Sequence, residues 1–110
     1  MEMNLKRLEQ IKLMLKETPN DAFLLFALAQ ETIKTGSTDD ALEIYKKLSA
    51  TNPDYVGTYY HLGKLLEDKA AYAEAQKAYE TGIEKAQKKG ASNDLRELLQ
   101  ALNNLNSLLD

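Results

Sequence analysis

The side chains that could support catalysis are few and scattered in this sequence of 110 residues. His61 is the single histidine, and the absence of cysteine excludes disulfides, thiolate zinc sites and thiol catalysis. Acid–base or nucleophilic chemistry needs several reactive groups that converge on one point. No such set surrounds His61 in the sequence. We interpret this residue as a surface or groove-edge histidine, with a pH-sensing role as the alternative.

The acidic residues show no metal-binding pattern either. Asp39 and Asp40 stand near a predicted helix start, and Glu67 and Asp68 near a predicted helix end. A metal site would need oxygen ligands that converge at the spacing of a loop. The five glycines are dispersed and form no phosphate-binding loop. The sequence therefore predicts no metal, no cofactor and no enzymatic activity.

Charge and hydropathy restrict the partners. The formal charge is −3 and the isoelectric point about 5.2, which disfavours nucleic acid. Lys85, Lys88 and Lys89 cluster near one helix end, where we interpret them as compensation of the helix dipole rather than an anion or nucleic-acid patch. The longest apolar run, residues 22–29, is much shorter than the ~20 residues of a membrane span. With Met1 as the native start and no apolar signal core, we expect a cytoplasmic protein without a membrane partner.

A period of 34 residues organises the middle of the chain. The residues that superpose after this shift include Pro19 with Pro53, Leu28 with Leu62, Ala41 with Ala75, and Tyr45 with Tyr79. A fixed period of this size is typical of stacked helical repeats.

Apolar residues spaced three and four apart predict six helices, and no strand pattern competes. The predicted helices cover residues 3–17, about 19–34, about 53–68, about 71–89 and 94–109, and the third of the six runs from a cap at Ser37 or Thr38 to an end by Asn52 and Pro53. The first carries an apolar stripe of Leu5, Leu8, Ile11 and Leu15. Thr18 and Asn52 are the predicted N-caps of the second and fourth helices, each followed by proline at the first helical position. Ala70 stands where the first copy has a glycine, so we expect a differently shaped turn there.

The two copies resemble the tetratricopeptide repeat, a helix–turn–helix unit of 34 residues. Its pattern of large residue, Leu, small residue, Ala, aromatic residue and Pro is matched by Leu25, Leu28, Ala29, Ala41, Tyr45 and Pro53, and then by Tyr59, Leu62, Gly63, Ala75 and Tyr79, with Gln87 replacing the last proline. The resemblance implies an all-α fold, a right-handed α-α superhelix of antiparallel helix pairs. We expect one domain over residues 1–110, with an N-terminal helix (1–17), repeats at 19–52 and 53–89, and a C-terminal capping helix (92–110).

The same resemblance implies a non-enzymatic interaction module or scaffold whose concave groove receives a peptide or helix of a partner protein. Inward positions in that family correspond here to Phe23, Phe26, Gln30, Ile33 and Lys34 in the first copy, and to Gly57, Tyr60, Lys64 and Glu67 in the second. From these we predict partner contacts by Phe23, Phe26, Gln30, Tyr60 and Lys64. Burial of Phe23 and Phe26 beneath a terminal helix is the alternative. A subtype that clamps chaperone C-termini uses lysines and asparagines, which the corresponding Phe26, Gln30 and His61 do not supply, so no such clamp is predicted.

The leucine-rich last helix suggests another function. Its seam consists of Leu95, Leu98, Leu102, Leu105 and Leu109, with Leu99 and Leu108 beside it. If the seam caps the preceding helix, it is fully used. If Leu99 or Leu108 is exposed, self-association as a homodimer becomes the alternative function.

Overall fold

The computed structural model describes residues 2–110, with side chains from residue 6 onward, so Met1 and the side chain of Leu5 lie outside the described part. The helices are α1 (Glu2–Glu17), α2 (Ala22–Lys34), α3 (Thr38–Thr51), α4 (Gly57–Asp68), α5 (Tyr72–Lys89) and α6 (Ser92–Leu109). Between residues 2 and 110 there is no strand. The predicted all-α fold of six helices is confirmed.

The chain forms two compact units, Met1–Pro53 and Asp54–Asp110. In the first unit, α2 packs against both α1 and α3. In the second unit, α5 packs against α4 and α6, and α4 also contacts α6. The single domain expected from the sequence stays a prediction.

Small residues allow the helices within each unit to approach closely. In the first unit Ala29, Ala41 and Tyr45 have no exposed surface. In the second unit a Cβ atom added at Gly63 would overlap the ring of Tyr79. In each helix pair, one tyrosine of the second helix is therefore fully buried where the two helices pack, as the repeat pattern predicts.

The predicted start of α2 is wrong. The helix begins at Ala22, and its N-cap is Asp21, whose carboxylate accepts a hydrogen bond from the Leu24 amide at 2.9 Å. Thr18 instead ends α1, because its amide and hydroxyl both donate to the Met14 carbonyl. The carboxylate of Asp21 satisfies an amide of the first turn, and the helix starts three residues later than expected.

The predicted start of α4 is also wrong. Asn52 does not cap this helix, because its side-chain amide donates to the carbonyl of Asn20 and to the hydroxyl of Thr51, both at 2.9 Å. Residues 53–56 form a turn, and α4 begins at Gly57. The hydrogen bond from Asn52 to Asn20 joins the end of α3 to the segment before α2 within the first unit.

Helices α2, α4 and α5 end in one hydrogen-bonding pattern, in which two amides after the helix donate back to carbonyls of its last turn. The residues with positive φ at these ends are Gly36 (95°), Ala70 (60°) and Gly90 (68°). At Ala70 the amide donates to the Glu67 carbonyl at 2.8 Å, and the Ala71 amide donates to the Leu66 carbonyl at 2.9 Å. The expected difference at Ala70 is therefore wrong. The two hydrogen bonds hold alanine in the left-handed region despite a cost of about 1–2 kcal/mol.

We predict that Ala70→Gly raises the free energy of unfolding by about 0.5–1 kcal/mol, because glycine removes the strain but adds entropy to the unfolded chain. Urea denaturation followed by circular dichroism measures the change. Gly36→Ala is the matched control, since no atom lies within 4 Å of its added Cβ and only backbone strain is introduced. It should lower the free energy of unfolding. A neutral Ala70→Gly beside a destabilising Gly36→Ala would contradict the prediction.

Candidate functional site

Phe23, Phe26 and Gln30 lie on one face of α2, at spacings of three and four residues. We call this face the α2 surface. Phe23 is 67% exposed, so the alternative of burial does not hold for this residue. Phe26 is half-buried, and its ring meets the Tyr45 ring edge-on with centroids 6.0 Å apart. The α2 surface therefore combines an exposed ring with one that the core holds in place.

Gln30 is held by the core of the first unit. Its side-chain amide donates a hydrogen bond to the Tyr45 hydroxyl at 3.0 Å. Burial raises the pKa of Tyr45 to about 12, although the bond from Gln30 acts in the opposite direction. The hydroxyl stays protonated at neutral pH and gives Gln30 a fixed orientation.

Glu31 is a buried carboxylate that sequence reasoning missed. The residue is only 3% exposed, and its Oε2 atom lies 3.1 Å from Lys34 Nζ and 3.6 Å from Arg7 Nε. The Oε1 atom has no hydrogen-bond partner among the described residues. Lys34, one of the predicted inward positions, is thereby paired with Glu31 within α2, and Arg7 links the same carboxylate to α1. A single charged residue in an apolar stretch carries no sequence signal of burial.

In the second unit, α6 joins Tyr60 and Lys64 in a cleft of about 130 Å³. The other lining residues are Glu97, Gln100, Ala101 and Asn104 of α6. We call it the α4–α6 cleft. The contribution of α6 was missed, although residues 97, 100, 101 and 104 have the spacing of one helical face. The cleft joins an aromatic ring, both charge signs and two amides, a set suited to a peptide.

His61 lies beside Tyr60, one of the residues that line this cleft. Its ring meets the Tyr60 ring almost perpendicularly, with centroids 5.5 Å apart. Burial lowers the pKa of His61, and the nearby Glu97 carboxylate partly opposes that shift. The residue is half-buried rather than fully on the surface.

Glu67, another predicted inward position, is used inside the second unit. It accepts a hydrogen bond from the Tyr79 hydroxyl. Burial, followed by the bond to Glu67, raises the pKa of Tyr79 above its ordinary value. The hydrogen bond thus holds the side chain of Glu67, on α4, against α5.

Metal-binding clusters and membrane-spanning helices are both absent from the described residues. No group of three or more histidine or acidic side chains is placed to hold a metal ion there. None of the helices within residues 2–110 combines the length and apolar character that a membrane span requires.

Comparison with known proteins identifies the repeat. The family model of the tetratricopeptide repeat matches residues 32–102. A tetratricopeptide repeat domain protein from Salinibacter ruber, solved by crystallography, is 44% identical with a TM-score of 0.78, over 80% of this chain and 99% of that one. No curated protein sequence matches significantly.

More distant structures share the fold. The TPR2B domain of yeast Sti1, in its complex with pHsp70, has a TM-score of 0.85 at 19% identity, over 97% of this chain and 86% of that one. The type III secretion translocator chaperone SycD of Yersinia enterocolitica has a TM-score of 0.83 at 14% identity, over 96% of this chain and 73% of that one. At these identities the likeness shows the fold alone.

The lowered pKa of His61 predicts a pH dependence. As the pH falls, the unfolded chain takes up this proton before the folded chain does, so the free energy of unfolding should fall below about pH 6.5 and level off beneath the folded-state pKa. Urea denaturation at several pH values measures this. His61→Gln should remove that part of the slope, while the contributions of the carboxylates are common to both proteins. An unchanged slope in His61→Gln would contradict the assignment.

Proposed function

Because the chain belongs to the tetratricopeptide repeat family, we propose that it is a non-enzymatic module that binds a peptide or helix of a partner protein through Phe23, Phe26, Gln30, Tyr60 and Lys64. Domains of this family are protein-interaction modules. In the proposal, the first helix of each repeat presents the binding side, as the concave groove of the family implies.

The observation that carries the proposal is the exposure of an aromatic ring, that of Phe23, on a helix whose opposite face is buried. Phe23 projects from α2, while Leu25 and Ala29 of the same helix are at most 2% exposed. A rigid ring on a fixed helix contacts a partner with little loss of conformational entropy. Phe26 and Tyr60 occupy the same position of the two repeats, so each unit contributes one anchor.

The polar residues suit a peptide partner. Gln30 is oriented by Tyr45, and in the second unit Gln100 and Asn104 present amides beside Lys64 and Glu97. Side-chain amides can both donate to and accept from a peptide backbone. Among the structures of this fold, the Sti1 domain is in a complex with pHsp70, and SycD is a translocator chaperone. These relatives support binding of a protein rather than of a small molecule.

We predict that the double variant Phe26→Ala with Tyr60→Ala loses the partner that the unaltered protein captures from its host's lysate. Capture with quantitative mass spectrometry measures the retained partner, and circular dichroism verifies folding. Each truncation should remove roughly 1 kcal/mol or more of binding free energy, so the double variant should capture at least about tenfold less partner. Tyr72→Ala, at another aromatic residue with 36% exposure, is the control and should keep the partner. Equal capture by the double variant would reject these positions.

The exposed leucines of α6 support a second candidate function, self-association. Leu99 is 48% exposed, Leu108 68% and Leu109 45%, whereas Leu98 and Leu105 are almost fully buried. The inner leucines cap α5, and the outer ones remain at the surface of the second unit. Exposed apolar side chains of this kind are a common basis of two-fold interfaces.

If α6 pairs with a second copy, the mass from light scattering should double as the protein concentration rises. The double variant Leu99→Gln with Leu108→Gln should then stay monomeric. Leu13→Gln, which alters a leucine of α1 with 60% exposure, is the control and should dimerise like the unaltered protein. A strict monomer at all concentrations would eliminate this function.

A further inference from the structure

A groove in the first unit lies on a different face of α2 from Phe23, Phe26 and Gln30. It encloses about 380 Å³. Its lining consists of Leu15, Pro19, Leu25, Leu28 and Ile44, together with Lys12, Lys16 and Lys47. We call it the lysine groove, because every charged residue in this lining is a lysine.

The charge of the groove contrasts with that of its surroundings. Residues 1–53 carry seven basic and eight acidic side chains, a formal charge of −1. Lys12, Lys16 and Lys47 are all exposed, and no ion pair within the described residues includes any of them. Three positive charges therefore meet around an apolar floor with no carboxylate in the lining.

The repeat itself does not require these residues. A shift of 34 positions replaces Leu15 by Ser49, Lys16 by Ala50 and Lys47 by Thr81. Residues that pack the repeat recur at this shift, as Leu28 and Leu62 do. Lys12 falls on Lys46 under the same shift, but Lys16 and Lys47 fall on uncharged residues, so the set of three lysines does not recur with the repeat.

We propose that the lysine groove docks an acidic amphipathic segment of a partner protein, whose apolar side chains fill the floor while its Asp and Glu carboxylates pair with Lys12, Lys16 and Lys47. Leu28 and Ile44 are half-buried and offer the apolar contact. The volume suits a few side chains of a peptide. The net charge of −3 repels an anionic membrane or nucleic acid as a whole, which favours a short acidic peptide that meets only the groove. This surface is separate from the one proposed above for the family function.

The test is selection from a random dodecapeptide phage library on the immobilised full-length chain. The same library is first depleted on the variant Lys12→Glu, Lys16→Glu, Lys47→Glu. We expect the remaining clones to be rich in Asp and Glu beside apolar residues. A clone synthesised as a fluorescent peptide should bind at least about tenfold more weakly to that variant, since reversal of three rim charges costs more than roughly 1.4 kcal/mol. Higher salt should weaken its binding to the unaltered chain.

Two controls locate the effect. The variant Lys6→Glu, Lys77→Glu, Lys89→Glu changes the net charge equally but lies outside the groove lining, and it should bind the peptide like the unaltered chain. The variant Phe26→Ala with Tyr60→Ala should also bind it normally, which separates this proposal from the family function. The proposal would be overturned if the selected clones were neutral or basic, or if none of them depended on the groove lysines. It would also be overturned if the peptide lost affinity equally for both charge variants. A further contradicting result would be that the unaltered chain co-sediments with phosphatidylserine vesicles while the variant Lys12→Glu, Lys16→Glu, Lys47→Glu does not.

Discussion

The structure of each unit depends on one buried tyrosine whose hydroxyl needs a hydrogen-bond partner. Tyr45 and Tyr79 occupy the same repeat position, and neither has exposed surface. A buried hydroxyl without a partner costs about 1–3 kcal/mol. The first helix of each repeat supplies the partner: Gln30 of α2 donates to Tyr45, and Glu67 of α4 accepts from Tyr79. The core thereby holds in place Gln30, one of the proposed contact residues, and Glu67.

The two copies meet this requirement in different ways, which makes their surfaces unlike. The partner of Tyr45 comes from position 30, whose counterpart in the second copy is the exposed Lys64. The partner of Tyr79 comes from position 67, one turn later along the helix. Gln30 is thus oriented by the core, whereas Lys64 faces the α4–α6 cleft beside residues of α6. In the proposed function, it is such differences, rather than the residues that repeat, that would select a partner.

The sequence alone predicted the fold well, because the 34-residue period and the small and aromatic positions report directly on packing. It predicted helix starts poorly at Thr18 and Asn52. Both have the right residue type for a cap, but Thr18 ends α1 and Asn52 reaches the carbonyl of Asn20, far along the chain. Competition between local and distant partners for one polar side chain is not visible in a local pattern. The turn at Ala70 was mispredicted for the opposite reason, because two backbone hydrogen bonds overrode a local preference.

The candidate site could be predicted from the sequence only where it depends on repeat position. Phe23, Phe26 and Tyr60 follow from the family pattern, but the residues that give the surfaces their chemistry come from the less regular helices at the two ends. The exposed Arg7 of α1 pairs with the buried carboxylate of Glu31, and α6 supplies Glu97, Gln100 and Asn104 to its cleft. A repeat array is a sum of units and their neighbour contacts, so a terminal helix can change without disturbing the repeats. Terminal helices are therefore where a short array gains specificity at least cost to its core.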